Sequence, residues 1–248
     1  MPKTLSPALI LALLLLTSCA HFEKAKPMTA GFHPASFSRT ITKKVGGQFL
    51  LYLPDGYAED PGQCWPLILF LHGIGERGRD LDKLKVTGLP QKLAAGVPLP
   101  FIIVCPQCPN DESWSPDTLN ALLDEVIGQC RVDEDRVYLT GLSMGGSGTW
   151  ALAGEHPERF AAIAPICGRG NIARARRFKH LPTWAFHGAR DEVVPIRESE
   201  IMVKAIQKIG GEVKFTVYPE AGHDSWTETY DNPELYQWLL AYRRPKAK

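Results

Sequence analysis

Residues 136–150 read RVYLTGLSMGGSGTW. The first five are apolar and β-branched enough to form a strand, and small residues then open a helix over 144–154. Between them stands Gly141-Leu142-Ser143-Met144-Gly145. A Gly-x-Ser-x-Gly turn between a strand and a helix presents its serine on a tight bend. Side chains at the two flanking positions would clash, hence the glycines. The helix start adds free amides and a positive dipole end beside the serine oxygen. Ser143 is therefore a candidate nucleophile; the plainer reading is a helix N-cap.

Outward from this stretch, strands and helices alternate. Strands are predicted at 67–71, 101–104, 136–140, 161–166, 183–186 and 213–217. Helices are predicted near 81–95, 117–130, 144–154, 197–209 and 233–243. The run Leu67-Ile68-Leu69-Phe70-Leu71 is apolar throughout, as in a strand covered on both faces. This alternation predicts an α/β fold with a mostly parallel central sheet and helices on both faces. Residues 37–45 and 48–53 flank Gly46-Gly47 and read as a hairpin.

A weak serine hydroxyl needs a base, and the base needs an orienting acid. Two more strands run into loops carrying those groups. The first is Trp184-Ala-Phe-His-Gly-Ala-Arg-Asp191, and the second is Val217-Tyr-Pro-Glu-Ala-Gly-His-Asp224. In a parallel sheet such loops share one edge. Asp191 and His223 are thus the candidate acid and base, with Glu192 and Asp224 as neighbouring carboxylates at the rim or a helix cap. His187 reads as structural. The loop Leu71-His72-Gly73-Ile74-Gly75 ends the buried strand. Its Ile74 amide, with that of Met144, is the candidate oxyanion hole. Arg77, Trp114 and Trp226 are candidate cleft-lining residues, and each also fits a packing or loop-bracing role.

With these residues in hand, the chain resembles the α/β-hydrolase superfamily. Within it, the chain is similar to bacterial feruloyl-esterase-like, polyhydroxybutyrate-depolymerase-like and "predicted peptidase" carboxylesterases. The matching segments are 66–78, 106–109, 141–148, 186–191 and 222–226, and the likeness covers about residues 45–243. The resemblance implies a serine esterase that needs no metal or organic cofactor. It leaves open a peptidase of the prolyl-oligopeptidase kind or an acyltransferase. A non-catalytic envelope lipoprotein is the reading of another class. Lids in this superfamily usually insert between the strands ending near Ile166 and starting near Thr183. The link here is too short for a helical lid, which suits bulky or polymer-linked esters. Five basic residues in Arg169–His180 form either an anion-binding patch or a solvated face.

The N-terminus reads as an address. Lys3 precedes an apolar run from Ala8 to Leu16 that is too short to span a bilayer comfortably. The run ends in Leu16-Thr17-Ser18-Cys19, which resembles a bacterial lipobox. This predicts a signal peptide over 1–18, a tether over 19–35 lipidated at Cys19, and a catalytic domain over 36–248. An ordinary secretory signal is the alternative. Ala20 after the cysteine favours the outer membrane of a bacterial envelope, with the protein facing the periplasm or exterior. The 248 residues carry 28 basic and 27 acidic side chains, without the basic excess of a nucleic-acid binder. Six cysteines are too few for a disulfide scaffold. The expected partners are an ester substrate and, through Cys19, a membrane.

Overall fold

A computed structural model describes residue 30 and residues 32–245. The chain divides into two units, 1–42 and 43–248. The described residues of the first carry no helix or strand. The proposed signal peptide, Cys19 and most of the tether lie outside the described residues. No described helix is long and apolar enough to cross a membrane.

The second unit is built on seven strands: β1 (Phe49–Tyr52), β2 (Trp65–Leu71), β3 (Ile102–Pro106), β4 (Val132–Leu142), β5 (Ala162–Ile166), β6 (Thr183–Gly188) and β7 (Val213–Tyr218). Their order is β1-β3-β2-β4-β5-β6-β7, parallel except for β1. Six α-helices cover the sheet: α1 (Gly88–Ala94), α2 (Pro116–Gln129), α3 (Met144–Glu155), α4 (Arg197–Lys208), α5 (Trp226–Asp231) and α6 (Pro233–Leu240). The alternation of β2 shows why both faces need cover. Leu67, Leu69 and Leu71 enter one core with α2, α3 and α4. Ile68 and Phe70 enter the other, against α1, α5 and α6. All five are fully buried.

Three expectations are corrected. No hairpin forms over 37–53, and only Phe49–Tyr52 is a strand, paired antiparallel with β3. An isolated two-stranded ribbon is marginal in water, whereas β3 offers a partner already fixed in a sheet. Phe37 and Ile41 stay exposed. The single helix expected near 81–95 is broken into a 3₁₀ turn (Leu81–Val86) and α1. Gly88 makes the break with φ +62, and a Cβ there would lie 2.7 Å from the Phe70 ring. The short α5, directly after the His223 loop, was not expected.

The link between β5 and β6 holds only a 3₁₀ turn (Ile172–Phe178). Its cations are largely committed: Arg174 pairs with Glu155 at 3.0 Å, and Arg177 donates to the Gly154 and Glu155 carbonyls. The 3₁₀ turn rests on α3 through Phe178 against Trp150, and no inserted domain covers this edge.

Candidate active site

The turn after β4 is as tight as its sequence requires. Ser143 sits at φ 54, a left-handed conformation that costs a non-glycine residue on the order of 1–3 kcal/mol. Its amide donates to the Ile166 carbonyl of β5 at 3.0 Å, which pins the bend. A Cβ on Gly141 would lie 2.5 Å from the Gly145 carbonyl oxygen, and one on Gly145 would lie 1.9 Å from that of Leu71. Gly146 and Gly168 touch backbone to backbone, so the loop after β5 lies directly on the first turn of α3.

The structure brings Ser143, His223 and Asp191 together. His223 Nε2 is 2.9 Å from Ser143 Oγ, and its Nδ1 is 2.8 Å from Asp191 Oδ2. An ionised carboxylate only accepts, so Nδ1 carries the ring proton. Nε2 is left as the acceptor for the serine hydroxyl. Ser143 and His223 are half-buried, while the Asp191 side chain is fully covered. Burial alone would raise the Asp191 pKa. Hydrogen bonds from His223 and from the Val194 and Val193 amides outweigh that and hold the carboxyl below its ordinary value.

The sequence reading of His187 as structural agrees with its contacts, yet it also touches the acid. Its Nε2–H donates to the Val194 carbonyl at 2.8 Å and lies 3.2 Å from Asp191 Oδ2. Its Nδ1 accepts from Ser199 Oγ at 2.7 Å. Burial pushes its pKa down, so it is a neutral brace between α4 and the acid loop. The single histidine beside a turn glycine carried no sign of this second contact.

Ile74 and Met144 lie on the two loops that flank Ser143. Met144 is the first residue of α3, where a helix amide has no partner of its own. Neither amide donates to an acceptor among the described residues. A Cβ on Gly73 would lie 3.8 Å from that of Ser143, so the 72–76 loop runs beside the serine. Arg77 clips this loop in place, donating to the Ile74 and Glu112 carbonyls at 3.3 and 3.2 Å. Trp226 stands edge-on to His223, centroids 5.3 Å apart. Trp114 donates to the His72 carbonyl at 3.1 Å and packs on Gly148. Asp224 caps α5 through the Thr227 amide, and Glu192 is exposed.

His72 is the bolt behind the loop. Its Nε2 accepts from the Cys108 amide at 3.0 Å, so its Nδ1–H donates to the Gly73 carbonyl. Burial, opposed by that carbonyl and aided by Arg77, brings its pKa down to about 4. The unfolded chain binds this proton near pH 6.5. Stability from neutral His72 is therefore complete above pH 6.5 and is lost as pH falls towards 4. The full difference is about 3 kcal/mol. We expect the melting temperature of wild type to fall faster than that of His72→Gln between pH 7 and 4.5. Parallel melting curves for the two proteins would exclude this role.

Cys167, at φ 41, is buried beneath the acid and base. Its Sγ, an Asp191 oxygen and a His223 nitrogen lie within 4.8 Å of one another. The set does not suit a resident metal ion: His223 and Asp191 are spent on each other, and burial pushes the thiol up to about 12. The five described cysteines are all free thiols.

Comparison with known proteins agrees with this architecture. NocK of Nocardia uniformis subsp. tsuyamanensis, named for an inferred esterase activity, is 33% identical over 144 residues, covering 52% of this chain and 41% of NocK. The bifunctional acetylxylan esterase/xylanase XynS20E of Neocallimastix patriciarum is 25% identical over 171 residues, covering 64% of this chain and 24% of that protein. The chain thus spans less than half the length of either relative. A thermostable esterase of known structure superposes with TM-score 0.68 at 34% identity, over 79% of this chain and 59% of its own. The dienelactone hydrolase family model matches residues 112–237, just over half the chain and the part that supplies Ser143, Asp191 and His223. This chain belongs to the dienelactone hydrolase family.

Proposed function

We propose that the protein hydrolyses carboxylic esters through an acyl-enzyme on Ser143. The observation that carries this is the relay from Ser143 Oγ through the His223 ring to Asp191, at 2.9 and 2.8 Å, on an edge no lid covers. His223 Nε2 takes the hydroxyl proton as Oγ bonds to the ester carbonyl carbon. The carbonyl electrons move onto oxygen, where the Ile74 and Met144 amides receive the charge. Collapse expels the alcohol, which leaves with the proton from Nε2. Water then repeats the sequence on the acyl-serine and releases the acid. Asp191 holds the tautomer and stabilises the transient imidazolium without taking the proton.

Bulky or polymer-linked esters fit the open edge, and the acetylxylan esterase name of XynS20E points the same way. The N-terminal Leu-Thr-Ser-Cys run supports attachment to a bacterial envelope through Cys19. A fluorophosphonate ester tests the chemistry. It should label one site, the peptide holding Ser143, and abolish hydrolysis of p-nitrophenyl acetate in proportion. Label on another residue, or full activity after labelling, would overturn the assignment.

A further inference from the structure

A groove of about 520 Å³ opens beside the site and plays no part in the chemistry just described. It lies at the ends of β3 and β1, where Phe49 stands opposite Pro106. Ser143 follows β4, two strands over on the same edge, about 10 Å at ordinary strand spacing. Trp114 joins the two places: it lines the groove, and its indole holds the His72 carbonyl behind the oxyanion loop.

The lining describes its ligand. Phe49, Trp114 and Leu122 supply flat apolar surface. Hydroxyls of Ser113, Ser115 and Thr118 stand among them. Lys43 and Lys44 balance Glu112 and Glu125, so the groove selects neither an anion nor a cation. An alkyl chain would leave the hydroxyls unpaired, at a cost for each polar group removed from water. A ring with apolar faces and a hydroxylated edge satisfies both kinds of surface.

We propose that this groove binds a neutral pyranose chain whose ester substituent reaches Ser143. The proposal rests on the esterase reading above and adds the substrate class to it. Two substitutions on separate segments of the groove narrow it. Gly47 has open space where a Cβ would sit, so Gly47→Leu fills the groove without strain. Thr118→Leu adds bulk and removes a hydroxyl from α2.

The test uses Ser143→Ala protein titrated with xylohexaose, cellohexaose and mannohexaose, alongside kinetics of the active enzyme. At least one hexaose should bind, and each groove substitution should weaken it about tenfold. In the active enzyme the same substitutions should lower kcat/KM about tenfold for the acetylated form of that oligosaccharide and leave p-nitrophenyl acetate unchanged. Binding of no hexaose, or an equal loss on both esters, overturns the groove assignment while the esterase reading stands. Oligosaccharide binding without hydrolysis of p-nitrophenyl acetate or any acetylated hexaose would sink the esterase reading instead.

Discussion

Ser143→Ala should lower kcat for p-nitrophenyl acetate by about 10⁴-fold or more, with the melting temperature held within a few degrees. The hydroxyl is the only group at the bend that His223 Nε2 faces at hydrogen-bond distance. Removing it deletes the bond-forming atom but little of the packing, because Ser143 is half-buried and its structural bond to Ile166 runs through the backbone amide. His223→Ala should cost a similar factor, since an unactivated serine is nearly inert. The double variant should be no worse than either single one, because the two residues act as a unit. Steady-state kinetics with circular dichroism on all three proteins checks this. Multiplicative losses, or a Ser143→Ala protein with full activity, would mean that another residue attacks.

The second large effect is structural. Gly145→Ala should leave little folded protein, a loss beyond about 4 kcal/mol. The added methyl would lie 1.9 Å from the Leu71 carbonyl oxygen and 2.5 Å from its carbon. Both atoms belong to the backbone of a fully buried strand, and no side-chain rotation relieves them. Gly46→Ala is the control, with nothing within 4 Å of its added carbon and an expected change within about 0.5 kcal/mol. Urea unfolding of the two variants separates the effects. A stable Gly145→Ala protein would show that β2 and the elbow can part without unfolding the sheet.

The catalytic edge was readable from the sequence because its constraints are local. A tight turn demands glycine, a buried parallel strand demands a continuous apolar run, and the triad groups each follow such a strand. Ser143, Asp191 and His223 could therefore be placed on one edge before any coordinates. What escaped the reading depends on partners distant in the chain. Residues 48–53 look like half of a hairpin, and only the β3 register shows where their hydrogen bonds go. Gly88 looks like an ordinary helix interruption until the Phe70 ring is seen against it. His187 resembles a turn residue, since nothing in sequence places Nε2 3.2 Å from Asp191. Arg77 was open between cleft and brace, and its bonds to the Ile74 and Glu112 carbonyls make it a brace.

The bare link from β5 to β6 also sets the tempo of catalysis. Enzymes with a cap must swing it aside for each arrival and departure, on microsecond to millisecond scales, and that motion often limits turnover. Here the acid, base and nucleophile stand in register before any ester arrives, and nothing has to close to complete them. Bulk solvent reaches the acyl-serine by the route the substrate took. The cycle is then governed by bond making and breaking at one carbonyl carbon, and speed is exchanged against shielding: the site gives up a dry chamber and gains an unhindered doorway.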